Sequence, residues 1–169
     1  MKKILGVVIA LVCLISLVSC GGKQTAAAYT KEQAQKILDS DVFSEQLEDL
    51  DLDTAWSLYQ LAGTGLSRDQ LTDGEVHRSS GGTCEELALL IFQDEEAAKS
   101  AKTALETYLQ NQIKDNEDYR PAEVPKLEDA FLQQADNTVL MVVSTDTQGT
   151  VLSACCRKAS SSLGTSAGR

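Results

Sequence analysis

Histidine is nearly absent from this chain, which has one in 169 residues, and proline is scarce at two. With a single histidine, His77, and no Gly-x-Ser-x-Gly elbow, a Ser-His-Asp arrangement would rest on that residue alone. Next to Arg78 in a predicted strand, His77 reads as a structural residue. Cations are also short, at 15 Lys and Arg against 25 Asp and Glu, giving a net charge of −10. That balance argues against charge-driven binding of DNA, RNA or an anionic bilayer surface. Eleven glycines with two prolines exclude collagen-like and broadly disordered classes. Aromatic side chains make up only 5%, so the length and composition bound one domain with a modest core. No CxxC pair accompanies the lone histidine, so a zinc site held through sulfur is not expected, and no cofactor or metal-ligating residue is assigned.

What is present begins at the first residues. Lys2 and Lys3 precede an uncharged run from Ile4 to Val18, the layout of a secretory signal. As a helix that run would rise about 22 Å, short of the roughly 30 Å hydrocarbon thickness that a span requires. Leu17-Val18-Ser19-Cys20 then resembles the bacterial lipobox. A small side chain at Ser19 admits the signal peptidase, and the Cys20 thiol accepts a diacylglyceryl group. The expectation is cleavage between Ser19 and Cys20, lipidation of Cys20, and retention on the outer face of the cytoplasmic membrane. Two acyl chains at about 0.8 kcal/mol per buried methylene anchor stably.

Removing residues 1–19 takes two lysines and no acids, leaving 13 cations against 25 acids and a net charge of −12. Charge thus holds the domain off an anionic surface while lipid holds it near. Residues 20–29 read as the lipidated cysteine and a flexible tether, 30–158 as one domain, and 159–169 as a small-residue tail expected to be mobile. Of the five cysteines, Cys84, Cys155 and Cys156 fall in the expected domain, an odd set whose redox state spacing does not fix.

Along the domain the pattern is α+β: a small, mostly antiparallel sheet of about four to five strands, packed by one long amphipathic helix and one or two shorter ones. Thr30 and Gln33 form a capping box ahead of a short helix to Leu38. Asp39 to Asp53 is dense in acids. Its Asp49-Leu50-Asp51-Leu52-Asp53 tempts a calcium reading, but Thr54 and Gln60 stand where a calcium loop needs glycine and a bidentate carboxylate. Thr54 to Leu61 fits a strand or a short helix. Glu75 to Ser80 fits a strand, followed by a turn at Ser79-Ser80-Gly81-Gly82.

Glu86 to Gln93, the most apolar segment, is read as a strand, although Thr83 with Glu86 also spells a helix capping box. From Asp94 apolar residues recur at helical spacing for about twenty residues. Asn116 to Lys126, with Pro121 and Pro125, reads as a loop. Ala130 to Gln134 and Thr138 to Ser144 flank a hairpin turn, and Val139 to Val143 is apolar on both faces, as in a central strand. Thr147 to Lys158 is read as a last helix.

Leu58-Tyr59-Gln60-Leu61, Ser79 to Ala88, Asp94 to Lys99, Tyr119 with Pro121 and Glu123, and Leu140 to Ser144 occur in an order that resembles domain-of-unknown-function family 4358, small Gram-positive lipoproteins. The resemblance covers roughly Thr30 to Thr147. It implies a lipid-anchored extracytoplasmic protein and supplies no activity, so no catalytic residue is carried over. The paired cysteines and serine run from Cys155 depart from the family's pattern. Two functions follow as expectations. One is a non-catalytic binding or accessory module of the cell envelope, docking a protein or peptide through a sheet face or the loop from Tyr119 to Pro125. The other is an envelope enzyme or metal-dependent binder using Asp39 to Asp53.

Overall fold

The computed structural model describes residues 28–145, together with Gly149 and Ser153. The expected signal segment, Ser19 and Cys20, most of the tether, the expected last helix apart from Gly149 and Ser153, Cys155 and Cys156, and the tail lie outside the described residues. Among the described residues nine elements follow in order: α1 (Lys31–Leu38), β1 (Glu48–Leu50), α2 (Leu52–Leu58), β2 (Leu71–Arg78), β3 (Glu86–Phe92), α3 (Glu95–Glu117), α4 (Val124–Glu128), β4 (Phe131–Ala135) and β5 (Thr138–Val143). Short 3-10 turns at Leu61–Thr64 and Arg68–Gln70 join α2 to β2. No helix among the described residues is long and apolar enough to cross a membrane.

The five strands form one sheet in the order β1-β2-β3-β5-β4, every pair antiparallel. β3 and β5 are central because their sequences are apolar at consecutive positions, which only a strand covered on both faces can bury. Ala88, Leu90, Phe92, Val139, Met141 and Val143 face α2 and α3, while Leu87, Leu89, Leu140 and Val142 face α1 and Val42. Both faces of the central strands are therefore buried.

Local chemistry explains the helix boundaries. The Thr30–Gln33 capping box starts α1 as expected. Asp51 accepts from the Asp53 and Thr54 amides and so starts α2, which makes Thr54 to Leu58 of the ambiguous stretch helix and leaves Tyr59 and Gln60 as a turn. Asp94 caps α3, whose Ala97, Ala98, Ala101 and Ala104 bring its backbone close to the sheet. The expected loop from Asn116 to Lys126 is corrected at both ends: α3 runs to Glu117, and α4 begins at Val124 with Pro125 in its first turn, where a missing N–H is harmless.

Strand β2 starts at Leu71, earlier than expected, with an irregularity between Leu71 and Asp73. Gly74 follows it because a Cβ there would stand 2.5 Å from the Leu89 carbonyl oxygen. Thr83 and Glu86 cap no helix, since β3 starts at Glu86.

Candidate functional site

Two adjacent glutamates stand at the start of β3, Glu85 just before it and Glu86 as its first residue, and both are buried, at 1% and 2% exposure. They turn to different partners. Glu86 receives the Tyr59 hydroxyl at 2.5 Å on one oxygen and the Tyr108 hydroxyl at 2.8 Å on the other. Tyr59 closes α2 and Tyr108 lies midway along α3, their rings packed edge to face 5.0 Å apart. One carboxyl thus ties two helices to the sheet. Its nearest cation, Arg78, keeps Nε 3.8 Å away, beyond hydrogen-bond range, and that Nε has no hydrogen-bond partner. Burial holds the Glu86 carboxyl above the usual carboxylate range against the opposing pull of Arg78 and the two phenols. Burial likewise pushes both phenols upward, with Glu86 adding to the rise.

Glu85 is satisfied by charge. Its oxygens accept from the Ser44 amide at 2.7 Å, the Ser44 hydroxyl at 3.0 Å and the Lys126 ammonium at 3.1 Å. Lys126 also meets Glu123 at 3.1 Å, and Glu123 accepts from the Cys84 amide at 2.8 Å. Burial works against the Lys126 charge, but Glu123 and Glu85 hold its pKa above the usual lysine value.

The preceding turn is pinned from outside. Glu45 accepts from the Ser79 hydroxyl at 2.5 Å and the Thr83 hydroxyl at 2.8 Å, which holds its pKa below the usual range. Arg120 donates to the Gly81 carbonyl at 3.1 Å. Cys84 is a free, buried thiol raised by that burial.

Above the tyrosines, the segment from Leu58 to Thr64 and the α3 stretch from Ala104 to Asp115 enclose a cleft of about 520 Å³, within the usual size of small-ligand sites. Tyr59 and Tyr108 line it together with the amide-bearing residues Gln60, Asn111 and Gln112. Gln60 sits in the left-handed region at φ 52, a conformation few side chains favour, between α2 and the 3-10 turn at Leu61–Thr64. The lining is mostly uncharged, with only Lys114 and Asp115 adding charge.

The acids singled out by sequence are dispersed among separate tasks. Asp49 lies 2.6 Å from His77 Nδ1 across the β1–β2 ladder, Asp51 caps α2, and Asp53 pairs with Arg68 at 2.7 Å. Among the described residues no group of three or more His, Cys, Asp or Glu is placed to hold a metal. His77 Nε2 is buried without a partner, so no serine hydroxyl bonds to the ring there. Tyr119, in the loop expected to dock a partner, is 81% exposed with Arg120 over its ring. Sequence reasoning missed the Glu85–Glu86 pair. Its signal was two carboxylates heading an otherwise unbroken apolar run.

No curated protein and no solved structure matches the chain. Glu86, Tyr108 and both pinned sides of the 79–85 turn fall within the stretch that a family model does match, whereas Tyr59 falls before it. Over residues 65–144 the chain matches the family described as Domain of unknown function (DUF4358), and the resemblance drawn from its motifs is to that family.

Proposed function

We propose that this protein is a lipid-anchored extracytoplasmic binding module of the cell envelope, without catalysis of its own. Cys20 holds it on the outer face of the cytoplasmic membrane, and the Tyr59–Tyr108 cleft meets a partner from the envelope. The observation that carries the reading is the succession of Lys2 and Lys3, an uncharged run from Ile4 to Val18, and Leu17-Val18-Ser19-Cys20. Support for binding over chemistry comes from the buried acids. Glu85 and Glu86 are engaged with Lys126, Ser44 and two phenols, so their chemistry serves packing. The cleft offers amides and only two charges, which suits recognition without reaction.

Cys20→Ala is the decisive variant. It should abolish labelling by a radioactive fatty acid and release the protein from the membrane fraction; unchanged retention overturns the anchor. Crosslinking in intact cells then tests binding. A partner captured by the wild-type chain and lost on Gln60→Ala with Asn111→Ala supports the cleft, and capture unaffected by that pair rejects it.

A further inference from the structure

The two edges of the sheet differ in a way that bears on association. β1 is three residues long and carries Glu48 and Asp49, the short, charged kind of edge that discourages further pairing. β4, Phe131-Leu132-Gln133-Gln134-Ala135, has no charged residue, no proline and no bulge against β5. Among the described residues no strand lies on its outer side. The two-residue turn at Asp136 and Asn137 pairs Ala135 with Thr138, Gln133 with Leu140 and Phe131 with Val142. In such a hairpin these pairs exchange backbone hydrogen bonds with β5, so Leu132 and Gln134 aim their amides and carbonyls outward.

We propose that β4 pairs antiparallel with β4 of a second copy of this chain, across a two-fold axis through Gln133, joining the two sheets into one. The register is self-complementary. Gln133 meets the partner's Gln133, while Leu132 exchanges backbone hydrogen bonds with the partner's Gln134. Phe131 falls opposite the partner's Ala135, and the paired stretch holds no charged side chain, so no two carboxylates confront each other within it.

A second copy fits better than a longer array because pairing through β4 leaves only the two charged β1 edges outside, and growth stops at two. A pairing of five residues buries less than the roughly 1,000 Å² of a stable interface, so the dimer is weak and concentration-dependent. Each copy carries a net charge of −10, so added salt strengthens association by screening repulsion.

The full chain in detergent micelles tests this by sedimentation equilibrium and by oxidative crosslinking. Wild type shifts from monomer to dimer with concentration, and several-fold further between about 0.05 and 0.5 M salt. Gln133→Cys, exposed and facing its own copy, forms a covalent dimer above the wild-type background, whereas Gln134→Cys does not. Gln133→Lys sets like charges opposite each other and abolishes the dimer while circular dichroism stays unchanged. A monomer at all concentrations, a dimer that survives Gln133→Lys, or equal crosslinking at positions 133 and 134 overturns the proposal.

Discussion

Glu85 and Glu86 are neighbours in the chain and equally hidden from solvent, yet the molecule satisfies them by different physics. Glu85 has an ammonium in contact, a backbone amide and a hydroxyl. Glu86 has two phenols and a guanidinium held at 3.8 Å. Ion pairing offsets desolvation by Coulomb attraction, whereas phenol donors offset it only through hydrogen bonds, and the residual penalty appears as a raised pKa. The contrast teaches that a buried carboxyl need not sit in a tight ion pair to be structural. Glu86 ties α2 and α3 to the sheet, and Glu85 ties α4 and the loop at Ser44 to it.

The sharpest way to break the contrast is Glu86→Ala, which strands two buried phenols and Arg78 at once. Urea denaturation should show a loss of about 3–5 kcal/mol. A loss under about 1 kcal/mol would mean that the phenols find other partners. Next comes Lys126→Met, which leaves Glu85 and Glu123 without their shared cation, with an expected loss of about 2–3 kcal/mol in the same measurement.

A pH series separates the two glutamates further. Because the folded-state pKa of Glu86 is raised, its contribution to stability is complete below about pH 4.5 and is lost as pH rises through the raised value. The stability of wild type relative to Glu86→Gln should therefore fall as pH is raised above 4.5, the other carboxyls cancelling between the two proteins. A difference that rises over that range would contradict the assignment. The smallest effect belongs to the layer on the opposite sheet face: Thr30→Ala removes the cap of α1 and costs about 1 kcal/mol, read as a shift in the urea midpoint.

Much of this architecture was legible in the residues. Thr30 with Gln33, Asp94 ahead of a helical period, and the unbroken apolar run at Val139 to Val143 each carry their physics locally, and the elements form where those signals lie. Pro125 misled, because a proline that marks a loop in isolation is equally at home in a helix's first turn. Thr83 and Glu86 spell a helix capping box that the fold does not use. Their side chains bond to Glu45, Tyr59 and Tyr108, partners 22 to 38 residues away that no local spacing encodes. The cleft was invisible for the same reason, since its walls meet only when α3 folds back over the segment from Leu58 to Thr64.

The turn between β2 and β3 closes on a question of timing. Its anchors come from both directions along the chain: Glu45 is 34 residues before Ser79, and Glu123 is 39 residues after Cys84. Long loops must close before such contacts form, which slows their arrival. The hairpin can zip from its central pairs early, but its tip stays open until the segment before β1 and the start of α4 have both docked. Pulse-labelled amide exchange should therefore find Thr83 and Cys84 protected after Leu87 and Leu89, which makes this tip the last stitch in folding.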